Sequence, residues 1–120
     1  MSRGRRPYLT IRDAIPIARL RGMVQMAESG PESLYDFTIA GTKLVAFVRV
    51  KFSEHILAML EDVAWDCHDE IGRLRLITQD SAISCELWLR SRYGTWRFFR
   101  VTIDAILELG RDGRPIAVKV

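Results

Sequence analysis

Three charged side chains, of types that could act on a phosphate, lie within two apolar segments of the sequence. Asp36 lies in the segment 34–40, and Arg49 and Lys51 lie in the segment 44–52. Val, Ile, Phe, Tyr and Thr dominate both segments, which predicts two strands joined as a hairpin. A lysine and an arginine on one strand can bind phosphate, whereas an aspartate opposite an arginine can form an inert cross-strand ion pair.

The length of the hairpin loop decides whether these charges meet. Side chains alternate along a strand, so Arg49 and Lys51 share one face and Val48 and Val50 share the other. An even number of loop residues places Asp36 on the face of the two cations, and an odd number turns it toward the valines. A carboxylate among valines would have no partner. We therefore predict an even loop or an equivalent bulge, with Asp36 close to one or both cations.

Two segments with helical periodicity flank the hairpin. Residues 13–29 predict a first helix, with Asp13 as its N-cap and Pro16 in its first turn. Residues 54–76 predict a longer helix capped by Ser53. Its apolar residues form one stripe at a spacing of 3.6 residues per turn: Ile56, Leu57, Leu60, Val63, Ala64, Cys67, Ile71 and Leu74.

The remaining segments predict further strands and an α/β domain. Residues 82–91 and 96–101 fit two antiparallel strands, while residues 103–109 fit either a short helix or a strand in a hairpin about 112–113. Both hairpin strands are apolar on both faces, as in the centre of a covered sheet. We predict one α/β domain over residues 11–120, with a mixed central sheet of four or five strands flanked by two main helices.

Other chemistry-bearing residues form no recognisable site. Cys67 and Cys85 lack the spacing of zinc ligands and are interpreted as reduced core residues. His55 and His68 accompany no nucleophile motif, and no Gly-rich phosphate loop is present. The acids Asp66, Asp69 and Glu70 share a helix side and are interpreted as a solvated surface. These patterns predict no metal and no cofactor.

The order helix, hairpin, helix, strand, with an acid early in one strand and a lysine late in the next, resembles the PD-(D/E)XK nuclease superfamily. Its fold is called restriction endonuclease-like. In that family an Asp and a (D/E)xK motif hold Mg²⁺ beside the scissile phosphate, and the lysine positions the attacking water. The resemblance covers residues 12–90 and implies that Asp36 is the acid and Lys51 the lysine. Arg49 stands where the second carboxylate would be, and a guanidinium repels a cation. The chain therefore resembles a degenerate member.

Three interpretations of the hairpin stay open. The charges can be an inert ion network, a remnant that binds nucleic acid, or the site of an active Mg-dependent nuclease whose missing acid comes from Asp62, Asp66 or Glu86. We favour a diverged nuclease-like domain that binds nucleic acid without metal-dependent cleavage. The residues expected to contact nucleic acid are basic, and three of them lie in the predicted tail 1–10: Arg49, Lys51, Arg3, Arg5 and Arg6.

Two tryptophans indicate an alternative function of a different class. Trp65 lies opposite the apolar stripe among acids, and Trp88 shares a strand face with Glu86 and Arg90. Exposed tryptophans often mark interfaces, so the alternative is an assembly module that forms a homo-oligomer. The net charge of +3 permits nucleic-acid contact without demanding it. No apolar run approaches the ~20 residues of a membrane helix, and no secretory signal is present, so we expect a cytoplasmic protein without a membrane partner.

Overall fold

The computed structural model describes residues 7–28, 30, 33–54 and 59–116. Over these residues the chain forms three helices and six strands. The helices are α1 (Pro7–Arg19), α2 (Leu60–Asp66) and α3 (His68–Leu74). The strands are β1 (Met23–Met26), β2 (Phe37–Ala40), β3 (Val45–Ser53), β4 (Ile83–Ser91), β5 (Trp96–Val101) and β6 (Ile106–Leu109).

The strands form one mixed sheet whose spatial order follows the sequence, β1-β2-β3-β4-β5-β6. β3 and β4 pair in parallel, joined by the crossover that contains α2 and α3, and the other neighbours pair antiparallel. The predicted α/β class, mixed sheet and central position of the hairpin are confirmed. The sheet has six strands rather than four or five, because β1 and β6 extend it at its two edges.

Strand alternation gives the sheet two covered faces. On one, which we call the α1 face, α1 packs over a cluster that includes Ala46, Val48, Trp88 and Phe98. On the other, the α3 face, α2 and α3 cover a cluster that includes Cys85, Leu87, Leu89 and Phe99. Burial of these apolar side chains on both faces stabilises the domain.

The predicted first helix begins and ends too late. α1 starts at Pro7, where a proline costs no hydrogen bond, so residues 7–10 belong to the helix rather than to a tail. Pro16 therefore lies inside α1, not in its first turn. The buried side of α1 is formed by Thr10, Ala14, Ile17 and Ala18.

β1 occupies residues that the sequence analysis assigned to the first helix. Gly22 ends the turn after α1, and a side chain there would collide with the main chain of Ala40 on β2. Because glycine has no side chain, the chain can pass close to Ala40 here, and β1 pairs with β2 in the register Met23↔Ala40. A four-residue strand with apolar residues at both ends also fits a helical spacing, and this caused the error.

The predicted long helix is divided and starts later. Ser53 is the last residue of β3 rather than a cap, and Met59 is still extended before α2 begins. The break falls at Cys67, whose φ of −110° and ψ of 22° depart from helical values. Residues 55–58 lie outside the described residues. The C-terminal half of the stripe is confirmed, with Val63, Cys67, Ile71 and Leu74 all buried.

The C-terminal segment forms a hairpin, which is one of the two predicted alternatives. β6 pairs with β5 in the register Phe98↔Leu109, and the turn closes where Gly110 donates to the carbonyl of Arg114 at 2.8 Å. This turn packs onto the α1 face and buries Leu109. None of the described helices is long and apolar enough to cross a membrane.

Candidate functional site

Asp36 immediately precedes β2 and is bound to the backbone of β3. Its N–H donates to the carbonyl of Val48 at 2.7 Å, and its Oδ2 accepts the N–H of Val50 at 2.7 Å. The loop between β2 and β3 has four residues, 41–44, so the predicted even register is confirmed. Burial raises the pKa of the Asp36 carboxyl above its usual 3.8, although the hydrogen bond from Val50 and the charge of Arg49 oppose the rise.

Arg49 contacts Asp36 as predicted. Its Nη1 lies 3.8 Å from Oδ1 of Asp36, and the same nitrogen donates to the carbonyl oxygen of Ser33 at 3.3 Å. Arg73 of α3 reaches the same carbonyl with its Nη1 at 3.4 Å. Two guanidinium groups, one from the sheet and one from the helix above it, therefore converge on one main-chain oxygen.

Lys51 lies on the α3 face two residues beyond Arg49, but its partners are on the helices. Its Nζ donates to the main-chain carbonyl of Asp66 at 3.0 Å and lies 3.4 Å from Oε1 of Glu70. Lys51 thus fastens the α2–α3 junction to β3. The buried Cys67 thiol lies at this junction, and burial raises its pKa to about 11.

A cavity of about 300 Å³ opens beside these residues, between the sheet and α3. Arg49 and Arg73 contribute cations to its wall, Asp69 and Glu70 contribute carboxylates, and Gly30 completes it. The cations and carboxylates are balanced in number, so the cavity has guanidinium donors without a strong net field. We call this cavity and Asp36, Arg49, Lys51 and Arg73 the hairpin site.

The hairpin site does not have the ligands that a catalytic Mg²⁺ needs. Mg²⁺ is held by carboxylate and other oxygen ligands, and the position expected to carry the second carboxylate holds the cation of Arg49. Across the described ranges, no three His, Cys, Asp or Glu side chains are grouped so that they could hold a metal ion. The carboxylate of Asp36 is already bound by a backbone N–H and faces a guanidinium. These residues do not fit the metal that the resemblance implies.

The acids named as replacements are not placed to supply the missing ligand. Asp62 and Asp66 are exposed on α2, and Lys51 contacts the main chain of Asp66, not its carboxylate. Glu86 pairs in register with Val48 and lies on the α1 face, across the sheet from Arg49. A migrated carboxylate from Glu86 is therefore wrong on geometry.

Glu86 is instead fully buried and forms an ion pair with Arg21 that was not predicted from the sequence. Arg21 donates to both of its carboxylate oxygens at 2.8 and 2.9 Å, and Ser84 and the indole of Trp88 donate to them at 2.8 and 3.0 Å. The guanidinium of Arg21 also lies over the Trp88 ring. The sequence did contain a signal of this polar cluster. Ser84, Glu86 and Trp88 alternate along β4, which places their polar groups together on one face of the strand.

The two tryptophans have opposite environments. Trp88 is fully buried on the α1 face against Phe37 and Phe98, so its assignment to an interface is wrong. Arg21 neutralises its strand neighbour Glu86, and Asp13 of α1 pairs with Arg90 at 3.5 Å, so the face is part of the core. Trp65 is 83% exposed on α2, as predicted from its place opposite the apolar stripe.

Glu70 was interpreted as solvated and Arg73 was not singled out as a candidate, yet both lie at the hairpin site. Glu70 and Arg73 lie one helical turn apart at the border of the apolar stripe, and this border position was the signal that they face the sheet. Arg3, Arg5 and Arg6 lie outside the described residues.

The helix, the β2–β3 hairpin, the crossover helices and the parallel β4 make up the restriction endonuclease-like fold, which confirms the fold that the resemblance implied. The structure is similar to that of Hjc from Archaeoglobus fulgidus, a Holliday junction resolvase from an archaeal hyperthermophile. The TM-score is 0.57 at 14% sequence identity, and the match covers 85% of this chain and 86% of Hjc. No family model and no curated protein matches the sequence.

Proposed function

We propose that this protein binds nucleic acid through the hairpin site and does not cleave it. The observation that carries the proposal is the contact of Arg49 with Asp36 at 3.8 Å. This contact supports the proposal because a guanidinium stands where the resemblance implies a carboxylate of a metal-dependent nuclease. A guanidinium suits a phosphate because its N–H donors match the geometry of phosphate oxygens.

Arg49 keeps donors for such a contact. A guanidinium has five N–H donors, and both contacts that Arg49 makes within the described residues use Nη1. Its Nε and Nη2 donors remain for a ligand, and the side chain is 26% exposed. Lys51 and Arg73 lie on the same side of the sheet as Arg49 and add two further cations to the hairpin site. The basic segment with Arg3, Arg5 and Arg6 is proposed to add further phosphate contacts.

The likeness in fold to a Holliday junction resolvase makes four-way junction DNA the first ligand to test. Fluorescence anisotropy with labelled junction and duplex DNA should detect binding that weakens steeply as salt rises. Arg49→Gln should weaken binding and lower the slope of log affinity against log salt by about 0.9, the value for one lost phosphate contact. Arg12→Gln is the matched control, because Arg12 is exposed on α1 on the other side of the sheet.

Incubation of the same DNA with Mg²⁺ or Mn²⁺ should yield no cleavage. Cleavage that disappears in both Asp36→Ala and Lys51→Ala would overturn the proposal and establish an active nuclease. Absence of binding to junction and duplex DNA at 50 mM salt would also overturn it. An inert ion network would then remain as the account of the hairpin site.

A second candidate function is self-assembly, and the exposure of Trp65 favours it. The ring lies on the outer side of α2 among exposed acids, with the His68 ring at 6.3 Å as its aromatic neighbour. Large exposed aromatic side chains are enriched at protein interfaces. We propose that Trp65 contacts a second copy of the chain in a homo-oligomer. For both candidate functions we propose the cytoplasmic location that was predicted from the sequence.

Light scattering tests this second candidate. Trp65→Ala should shift the mass toward the monomer with little change in the free energy of unfolding, because Trp65 contributes little to the core. Leu76→Ala is a control, since Leu76 is also exposed but follows α3. A mass that is the same in the wild type and in Trp65→Ala would remove the support for this candidate.

A further inference from the structure

A second cavity, of about 630 Å³, opens on the α1 face. Three segments build it: the turn after α1, the β2–β3 loop and the turn after β6. Its apolar lining includes the buried Ile39 and Ala46, together with Leu20 and Leu44. Its other side chains are mostly cationic: Arg21, Lys43, Arg111 and Arg114, with Asp112 as the one carboxylate among the described residues of the lining. A volume of this size is in the range of small-molecule sites.

The wall of the cavity is held in place by the Arg21–Glu86 ion pair. Gly113 packs directly on the guanidinium of Arg21, and a Cβ at this position would collide with it. Its φ of +85° is also one that glycine adopts without strain. The turn after β6 is thereby closed onto Arg21, and it brings Arg111 and Arg114 to the same cavity as Lys43.

The charges of this cavity are unbalanced, in contrast with those of the hairpin site. Glu86 neutralises Arg21. Among the described residues no carboxylate pairs with Lys43, Arg111 or Arg114, although Arg111 lies over the Phe98 ring. Asp112 uses Oδ1 to accept the N–H of Arg114 within its own turn. Three exposed cations therefore face one carboxylate, around an apolar floor.

We propose that this cavity binds a phosphate ester that bears an apolar or planar organic group. The phosphate would lie among Lys43, Arg111 and Arg114, where charged N–H donors form strong hydrogen bonds to its oxygens. The organic group would pack against Leu20 and Leu44, the apolar side chains of the lining that stay accessible to solvent. A mononucleotide and the 5′-phosphorylated end of a nucleic-acid strand both have this chemistry. The site lies across the sheet from the hairpin site and does not depend on nucleic-acid binding there.

Titration of ¹⁵N-labelled protein with adenosine 5′-monophosphate tests the proposal, with adenosine and inorganic phosphate as partial ligands. The amide signals of Gly41, Thr42 and Gly113 should shift with adenosine monophosphate, and less at equal concentration with either partial ligand. A 5′-phosphorylated oligonucleotide and its 5′-hydroxyl counterpart distinguish the two sources. Tighter binding of the phosphorylated strand identifies a strand end as the ligand, and binding of the mononucleotide alone identifies a free nucleotide.

The variant Lys43→Gln/Arg114→Gln should lower the affinity for adenosine monophosphate by at least about tenfold, because two charged donors are lost. The variant Arg12→Gln/Arg92→Gln removes the same charge outside the cavity and should bind as the wild type does. Equal affinities of the two variants, or no amide shifts with any of the phosphate ligands, would overturn the proposal. Arg49→Gln should leave this titration unchanged, so failure here is distinct from failure of the proposed function.

Discussion

The Arg21–Glu86 pair allows a direct test of what burial does to an ion pair, because the fold contains a second pair, also held by two hydrogen bonds, nearer the surface. Arg97 donates to both carboxylate oxygens of Glu108 at 2.9 and 2.8 Å, which matches the 2.8 and 2.9 Å of Arg21 and Glu86. The side chains of Arg97 and Glu108 are 25% and 31% exposed, whereas those of Arg21 and Glu86 are 12% and 0% exposed.

Glu86→Ala should lower the free energy of unfolding by about 3–5 kcal/mol, the cost of leaving one partner of a buried pair uncompensated. The variant also removes the acceptor of Ser84 and of the Trp88 indole, which adds unsatisfied donors to the buried guanidinium. Glu108→Ala should cost about 0–1 kcal/mol, because solvent screens an exposed pair. Because both pairs have two hydrogen bonds of the same length, the difference between the two losses is attributed mainly to burial and to the two added donors.

Urea denaturation followed by tryptophan fluorescence measures both values. For slopes of about 1–3 kcal/mol per M, Glu86→Ala should lower the midpoint by more than about 1 M. Glu86→Gln keeps the shape of the side chain and should lie between the wild type and Glu86→Ala, so it serves if the alanine variant does not fold. Equal losses for Glu86→Ala and Glu108→Ala, or a loss below about 1 kcal/mol for Glu86→Ala, would refute the reasoning.

Three further outcomes follow from single residues. Burial raises the pKa of Asp36 in the folded state above 3.8, so the folded protein takes up a proton before the unfolded chain does. As the pH falls through the raised pKa toward 3.8, the free energy of unfolding of the wild type should therefore rise relative to that of Asp36→Asn. A difference between the two proteins that does not change with pH would contradict this. Cys67 has a pKa of about 11, so about one thiol in a thousand is ionised at pH 8, and a thiol reagent should label it only after unfolding; rapid labelling of the folded protein would contradict its burial. Gly113→Ala should lower the free energy of unfolding by about 1–3 kcal/mol, because of backbone strain and a steric collision. Gly72→Ala, in open space on α3, should raise it by up to about 1 kcal/mol. A change of the same sign in both variants would contradict the conformations described for these two glycines.

The parts of the fold that were predictable are those where local periodicity and burial agree. The stripe Val63, Cys67, Ile71 and Leu74 has the period of a helix and is buried as one. The parity of the β2–β3 loop followed from the need of Asp36 for a partner, since each slip of one residue reverses the face. Both arguments use only neighbours in sequence or in the adjacent strand.

The errors arose where contacts distant in sequence decide the structure. Trp88 shares its face with Glu86, which indicated a polar surface, but Arg21 lies 65 residues away and neutralises that carboxylate. No local pattern contains this pairing, so the core on the α1 face looked like an interface. The break between α2 and α3 at Cys67 was likewise not predictable, because no proline or glycine lies at that position. Lys51 of β3 binds the main chain there, which is again a contact between distant segments.

Contacts between distant segments also determine how the hairpin site would respond to a change of charge at position 49. Replacement of Arg49 by an acidic residue would supply a carboxylate. Oδ2 of Asp36 would still accept the N–H of Val50 of β3. Lys51 would still be bound by Glu70 at the α2–α3 junction. Asp36 and Lys51 therefore have these partners whether or not position 49 is acidic. A single reversal of charge at position 49 would therefore leave these contacts in place and would not by itself supply the set of oxygen ligands that Mg²⁺ needs.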